Sequence, residues 1–224
     1  SMIRANDPQR KSWVDISSDN DFSIQNIPFG IFKTSTDEAR VGSRIGDLIV
    51  DLYELSFAGL LNGFDTALFQ QNTLNPLMKN AGKSGIRALR NSISDLLEES
   101  NSELRDDPEL KAKAMHHARE VEMLLPVDIG DYTDFYSSEQ HAYNVGCMFR
   151  DPNNALLPNW KHIPVGYHGR SSSIIVSGVE IHRPKGQMRP SDEDPPVFGP
   201  CKLLDFELEM GFITMDGNSL GKPI

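Results

Sequence analysis

No stretch of the chain approaches the roughly 20 consecutive apolar residues that a membrane-crossing helix needs. The opening residues, Ser1-Met2-Ile3-Arg4-Ala5-Asn6-Asp7-Pro8, lack the apolar segment of a secretory leader, so a cytosolic protein is expected. Ser1 ahead of Met2 reads as a tag scar. Cysteine is scarce: only Cys147 and Cys201 occur, without a Cys-x-x-Cys pair, which argues against a disulfide framework and for reduced, buried or incidental thiols. Positive charge is also short. The 22 Lys and Arg against 32 Asp and Glu leave a net charge of −10, which argues against nucleic acid and anionic membrane surfaces as partners. Neither Gly-x-x-x-x-Gly-Lys-Ser/Thr nor Gly-x-Gly-x-x-Gly is present, so no phosphate loop or dinucleotide fingerprint is available. Repeats and low-complexity segments are missing too.

What is present fits a core-burying protein of one or two domains: 224 residues, 38% hydrophobic and 24% charged. Up to about Leu60, short β-type runs alternate with turn signals. Residues 27–32 form one run and residues 39–52 another, the second broken by Gly46-Asp47, a pair suited to a tight hairpin turn. Ile86, Leu89, Ile93, Leu96 and Leu97 recur at helical spacing and predict a helix over 84–100 behind a Ser84 cap. Asp107-Pro108-Glu109 supplies a cap, a first-turn proline and an acid near the positive helix end, predicting a second helix as far as Glu120. His116 and His117 would then point about 100° apart and read as plain surface residues. After Pro126 the texture returns to strand and loop, which places a domain boundary there.

Residues 203–213 alternate strictly, with Phe206, Leu208, Met210 and Phe212 on one face of a predicted strand and Asp205, Glu207 and Glu209 on the other. Same-face carboxylates two residues apart lie about 7 Å from each other, so water, cross-strand cations or a bound metal must balance them. A solvated face and a site for a hard cation such as Mg²⁺ or Ca²⁺ both remain open, because every candidate ligand is oxygen. Residues 128–150 gather acids, tyrosines, His141 and Arg150 into a segment that is neither a clean helix nor a clean strand, as a loop serving a site would be. His141 alone proves nothing, since imidazole chemistry needs a partner. Between Lys161 and Arg189 five basic residues face a single acid, Glu180. Gly166 and Gly169 suggest close backbone approach, and Arg170 followed by three serines suits an anion, with a solvated basic loop as the alternative.

Five ordered motifs then carry a resemblance. Asp131-Tyr-Thr-Asp-Phe-Tyr-Ser-Ser-x-Gln-His-Ala142, Asn154-Ala-Leu-Leu-Pro-Asn-Trp160, Pro164-Val-Gly-Tyr-His-Gly-Arg170, Arg183-Pro-x-Gly-Gln187 and Leu204-Asp-x-Glu-Leu-Glu-Met210 resemble the fumarylacetoacetases in motif and in order. The likeness runs from about Ser12 to the C-terminus. It implies a mainly β fold with some α: residues 1–126 as a small SH3-like N-terminal barrel with helical segments, and 127–224 as the first part of a mixed β-roll catalytic domain.

Residue by residue, the resemblance implies that Asp134, Glu207 and Glu209 bind a divalent metal, Ca²⁺ or Mg²⁺, with Asp205 a neighbour. His141 matches the general base, and Tyr136, Arg150 and Tyr167 match substrate-holding residues. The implied reaction is metal-assisted hydrolysis of a carbon–carbon bond of fumarylacetoacetate, a small dicarboxylate, giving fumarate and acetoacetate at the end of tyrosine breakdown. The implied assembly is a cytoplasmic homodimer. Members of the family continue well past Ile224 and supply there a further aspartate ligand, a lysine aiding the leaving group and a glutamate orienting the histidine. This chain alone is therefore expected to be inactive and to expose an unpaired sheet edge. A related hydrolase or decarboxylase of acylpyruvates shares the metal carboxylates but typically lacks the long N-terminal domain. A non-enzymatic folding or dimerising unit is the reading from a different class.

Overall fold

Two apolar runs of the first fifty residues become strands with both faces covered. In β1 (Phe29–Lys33) the neighbours Ile31 and Phe32, which point to opposite faces, are both buried. β2 (Arg40–Ile45) and β3 (Leu48–Asp51) follow as an antiparallel hairpin turning at Gly46 and Asp47, as expected. Gly46 has φ 53°, a conformation open to glycine at no steric cost. The computed structural model describes residues 3–215 and 217–223. They divide into two units, one taking in the chain up to Pro126 together with the part from Val176 onward, the other Val127–Ile175.

Asp51 ends β3 and starts α1 (Leu52–Phe57), accepting from the backbone N–H groups of Tyr53 and Glu54. The predicted helix over 84–100 belongs to a longer one, α2 (Asn75–Leu97), which starts with Pro76 in its first turn and breaks at Gly82. Its buried stripe includes Leu89, Ile93, Leu96 and Leu97, as the spacing predicts. α3 (Pro108–Ala114) has the expected Asp107 cap, but it ends six residues before Glu120. Residues 115–117 instead form β4 (Met115–His117), pairing with β3, because the open edge of β3 offers backbone partners that a longer helix would forgo. His116 is accordingly no plain surface residue: its ring is half-buried, 5.7 Å from that of Phe32, and its Nε2 lies 3.8 Å from the Asp51 carboxylate.

β5 (Glu122–Leu124) closes against β1 and completes an antiparallel sheet of order β4-β3-β2-β1-β5. The result is a mixed α/β arrangement, a curled sheet carrying a few helices. Gly42 is a requirement of its packing. A Cβ there would sit 2.8 Å from the Phe32 ring, which lies across β2 toward Ile49. Next to it, fully buried Asp51 bonds Arg40 at 2.7 Å, and Glu54 bonds the same guanidinium at 2.9 Å.

Within Val127–Ile175 the elements are β6 (Thr133–Phe135), α4 (Glu139–Phe149) and β7 (Gly166–His168). β8 (Lys185–Met188) and β9 (Val197–Pro200) form a separate antiparallel hairpin. The strand predicted over 203–213 is not formed. Phe206, Leu208 and Met210 are 90–93% exposed, and Asp205, Glu207 and Glu209 are exposed as well. An isolated alternating segment has no ladder to hold it, and no strand among the described residues pairs with it. No helix among the described residues is long and apolar enough to cross a membrane.

Candidate active site

The residues of the Asp131–Ala142 and Pro164–Arg170 motifs meet through one antiparallel pairing. Thr133 faces His168, Asp134 faces Tyr167 and Phe135 faces Gly166. Two further bonds extend the ladder, Gly169 N–H to the Tyr132 carbonyl and Tyr136 N–H to the Val165 carbonyl, each 2.9 Å. With a side-chain period of two, Tyr132, Asp134 and Tyr136 share one face, and Tyr167 stands opposite Asp134 on that same face.

The half-buried Asp134 carboxylate is the focus of this face. Its Oδ2 accepts from the Tyr167 hydroxyl at 2.8 Å and from the Tyr132 hydroxyl at 3.1 Å. Gly166 and Gly169 do mark close approach, and what approaches is the chain's own rings. A Cβ on Gly166 would lie 2.9 Å from Phe135 Cδ1, and one on Gly169 only 2.1 Å from Tyr132 Cδ1. Arg170, expected at an anion cradle, donates from Nε to Ser173 Oγ at 2.9 Å.

The segment expected as a loop is a strand followed by a helix. Ser138 caps α4, its Oγ accepting from His141 N–H at 3.3 Å, and Glu139 sits near the positive helix end. The helix buries Ala142 and Gly146, four residues apart; a Cβ on Gly146 would lie 2.2 Å from the Ala155 carbonyl oxygen. So small a face leaves little large-residue periodicity to read. His141 falls in the first turn, its ring edge-on to Tyr136 at 5.6 Å. The Tyr136 hydroxyl donates to the Ala142 carbonyl at 3.1 Å, and Trp160 Nε1 donates to the Tyr136 carbonyl at 2.9 Å, which fixes the turn between strand and helix. Arg150 follows the helix and donates from Nη2 and Nε to the Ala155 carbonyl, at 2.8 and 3.3 Å.

Asp134, Tyr136, His141, Arg150 and Tyr167 therefore lie within Val127–Ile175. Glu207 and Glu209 belong to the other unit, on an exposed stretch without regular secondary structure. Sequence reasoning missed Tyr132, although its place two residues before Asp134 puts both on one strand face. It also missed the pairing of His168 with Asp131, at 2.5 Å. The Tyr132 backbone N–H, and after it His168, holds the Asp131 carboxyl below the usual aspartate range.

Residues 25–126 match the family model described as "Fumarylacetoacetase N-terminal". The fumarylacetoacetases of Mus musculus and Homo sapiens are each 50% identical to this chain over 216 residues, 95% of its length and 51% of theirs. That of Arabidopsis thaliana is 45% identical over 218 residues, covering 96% of this chain and 52% of its own length. The chain spans about half the length of the curated relatives it matches.

Proposed function

We propose that the chain belongs to the fumarylacetoacetase family, to which it is similar along its length, and that the whole protein hydrolyses the carbon–carbon bond of fumarylacetoacetate to fumarate and acetoacetate, the last step of tyrosine breakdown. The observation that carries this reading is the Asp134 carboxylate, set by two phenol donors on the face it shares with Tyr136. Residues 1–126 are read as an SH3-like N-terminal domain and 127–224 as the first part of a β-roll catalytic domain. The whole protein is read as a cytoplasmic homodimer that takes a small dicarboxylate and neither nucleic acid nor membrane.

The donor chemistry fits a hard divalent cation. Asp134 offers an ionisable oxygen whose orientation is already fixed, and Glu207 and Glu209 add two more carboxylates, with no thiolate in the set. Asp134, Glu207 and Glu209 would hold Ca²⁺ or Mg²⁺. When bound, that ion supplies Lewis-acid stabilisation of negative charge on the substrate's carbonyl oxygens.

The remaining steps fall to the chain's own side chains. His141 takes a proton from water as the water attacks the carbonyl next to the fumaryl group. Tyr136, Arg150 and Tyr167 hold the substrate, the Arg150 guanidinium supplying donors that suit carboxylate oxygens. Arg150 anchors itself through Nε and Nη2 on the Ala155 carbonyl, which fixes the plane of its guanidinium. Loss of the diketone absorbance of fumarylacetoacetate, followed with the full-length protein, tests the reading. Turnover that disappears in Asp134→Asn supports it, and turnover unchanged by that substitution refutes the role given to Asp134.

A further inference from the structure

We propose that Tyr132 is a positioning residue of the cation site, holding the Asp134 carboxylate in the orientation that the ion meets; the proposal rests on the functional reading above. The geometry comes from one strand register. Tyr132 lies just before β6 and two residues before Asp134, and its carbonyl continues the ladder, so both side chains leave the same face. Across the ladder from Tyr132 is Gly169, bonded to its carbonyl at 2.9 Å. A Cβ on Gly169 would meet Tyr132 Cδ1 at 2.1 Å and Cε1 at 2.3 Å, so the phenol ring lies flat over a position that only glycine leaves open. In that pose its hydroxyl reaches Asp134 Oδ2 at 3.1 Å.

Tyr167 donates to the same oxygen at 2.8 Å from the other strand. Two donors on one oxygen, approaching from two strands, fix the rotation of the carboxylate about its Cβ–Cγ bond. Both bonds use Oδ2, and Oδ1 would be the oxygen offered to the ion. Groups that orient a ligand in this way are typically worth about 10–100-fold in metal affinity. Tyr132 need not touch substrate to have that effect, which separates its role from those of Tyr136, Arg150 and Tyr167.

The test is calorimetric titration of Ca²⁺ and of Mg²⁺ into the chelator-stripped full-length protein, with the thermal midpoint of the stripped protein measured in parallel. Tyr132→Phe removes a single oxygen and keeps the ring over Gly169. It is expected to weaken cation binding by about tenfold or more while the midpoint stays at the wild-type value. Gly169→Ala displaces the ring and should weaken binding similarly. The double variant Tyr132→Phe/Gly169→Ala should bind about as well as the weaker single variant, because both changes remove one and the same hydrogen bond. Wild-type affinity in Tyr132→Phe, together with lost binding in Asp134→Asn, overturns the positioning role and leaves the cation reading standing. A lowered midpoint with unchanged affinity also overturns it, by making Tyr132 merely structural. Wild-type affinity in Asp134→Asn would remove the cation reading and the role of Tyr132 with it. Should Gly169→Ala fail to fold, the Tyr132→Phe titration decides alone.

Discussion

Asp51→Ala is expected to take away much of the stability of the N-terminal sheet. The Asp51 carboxylate is fully buried and serves two elements at once. Oδ1 accepts from the N–H groups of Tyr53 and Glu54 at 2.9 and 3.2 Å and so caps α1, while Oδ2 accepts from Arg40 at 2.7 Å. Loss of a helix cap costs about 0.5–2 kcal/mol. Breaking a buried ion pair from one side costs about 3–5 kcal/mol, because the remaining charge is left in a poor solvent. The two costs overlap, and Arg40 keeps Glu54 at 2.9 Å, so the net expectation is about 3–5 kcal/mol rather than the sum. That is a large part of the roughly 5–15 kcal/mol typical of a folded domain.

Urea denaturation followed by circular dichroism measures the loss, and a value below about 1 kcal/mol would refute this account of the cluster. Asp51→Asn keeps the cap and the volume and so isolates the charge. Burial pushes the Asp51 carboxyl above its ordinary range, with the Arg40 bond only partly offsetting it. A raised folded pKa contributes stability that is complete below the unfolded value of about 4 and is lost as pH rises through the folded value. The wild type should therefore gain on Asp51→Asn as pH is lowered from 7 toward 4. A gap between the two that narrows on acidification contradicts that sign.

Three further outcomes follow from the site. In the full-length protein His141→Ala should cut turnover by about 10²–10⁴-fold with metal content by elemental analysis nearly intact; near-wild-type turnover would end the water-activating role. Glu209→Ala should lose metal and turnover together, and full metal occupancy in that variant would exclude Glu209 as a ligand. Gly146→Val places a Cβ where the Ala155 carbonyl oxygen lies 2.2 Å away, so α4 and the 152–155 turn must separate. Its thermal midpoint should fall by several degrees, with Gly146→Ala falling less, and an unchanged midpoint would show that the turn yields freely.

The N-terminal strands and the core stripe of α2 were legible because large apolar residues mark them: Ile31, Val41 and Val50 along the strands, Leu89 and Ile93 along the helix. The end of α3 was not, since the sequence around Met115 still suits a helix and only the open edge of β3 makes a strand better there. α4 was hidden for the opposite reason: its buried face is Ala142 and Gly146, too small to register as a hydrophobic period. In residues 203–213 the alternation is a real pattern, yet a pattern supplies no hydrogen-bonding neighbour, and the segment has no regular secondary structure and is exposed. Site residues were easier to name than to place. Their motifs can be quoted from the sequence, whereas the bond from Tyr132 to Asp134 depends on a register that no single motif contains.

That register is what joins the two halves of the unit's chemistry. If β7 slipped by one residue along β6, His168 or Gly166 would stand opposite Asp134 in place of Tyr167, and the 2.8 Å phenol bond would be lost. The ring of Tyr132 would lose its seat as well, because the residue brought beneath it would carry a Cβ. Gly166 under Phe135 and Gly169 under Tyr132 each seat a ring where a Cβ would collide with it. Two glycines three residues apart thus select the pairing through exclusion of side chains, and the hydrogen bonds to Asp134 follow from it. The glycines that looked like a binding loop in the sequence serve the site from beneath, by fixing which residues surround its carboxylate.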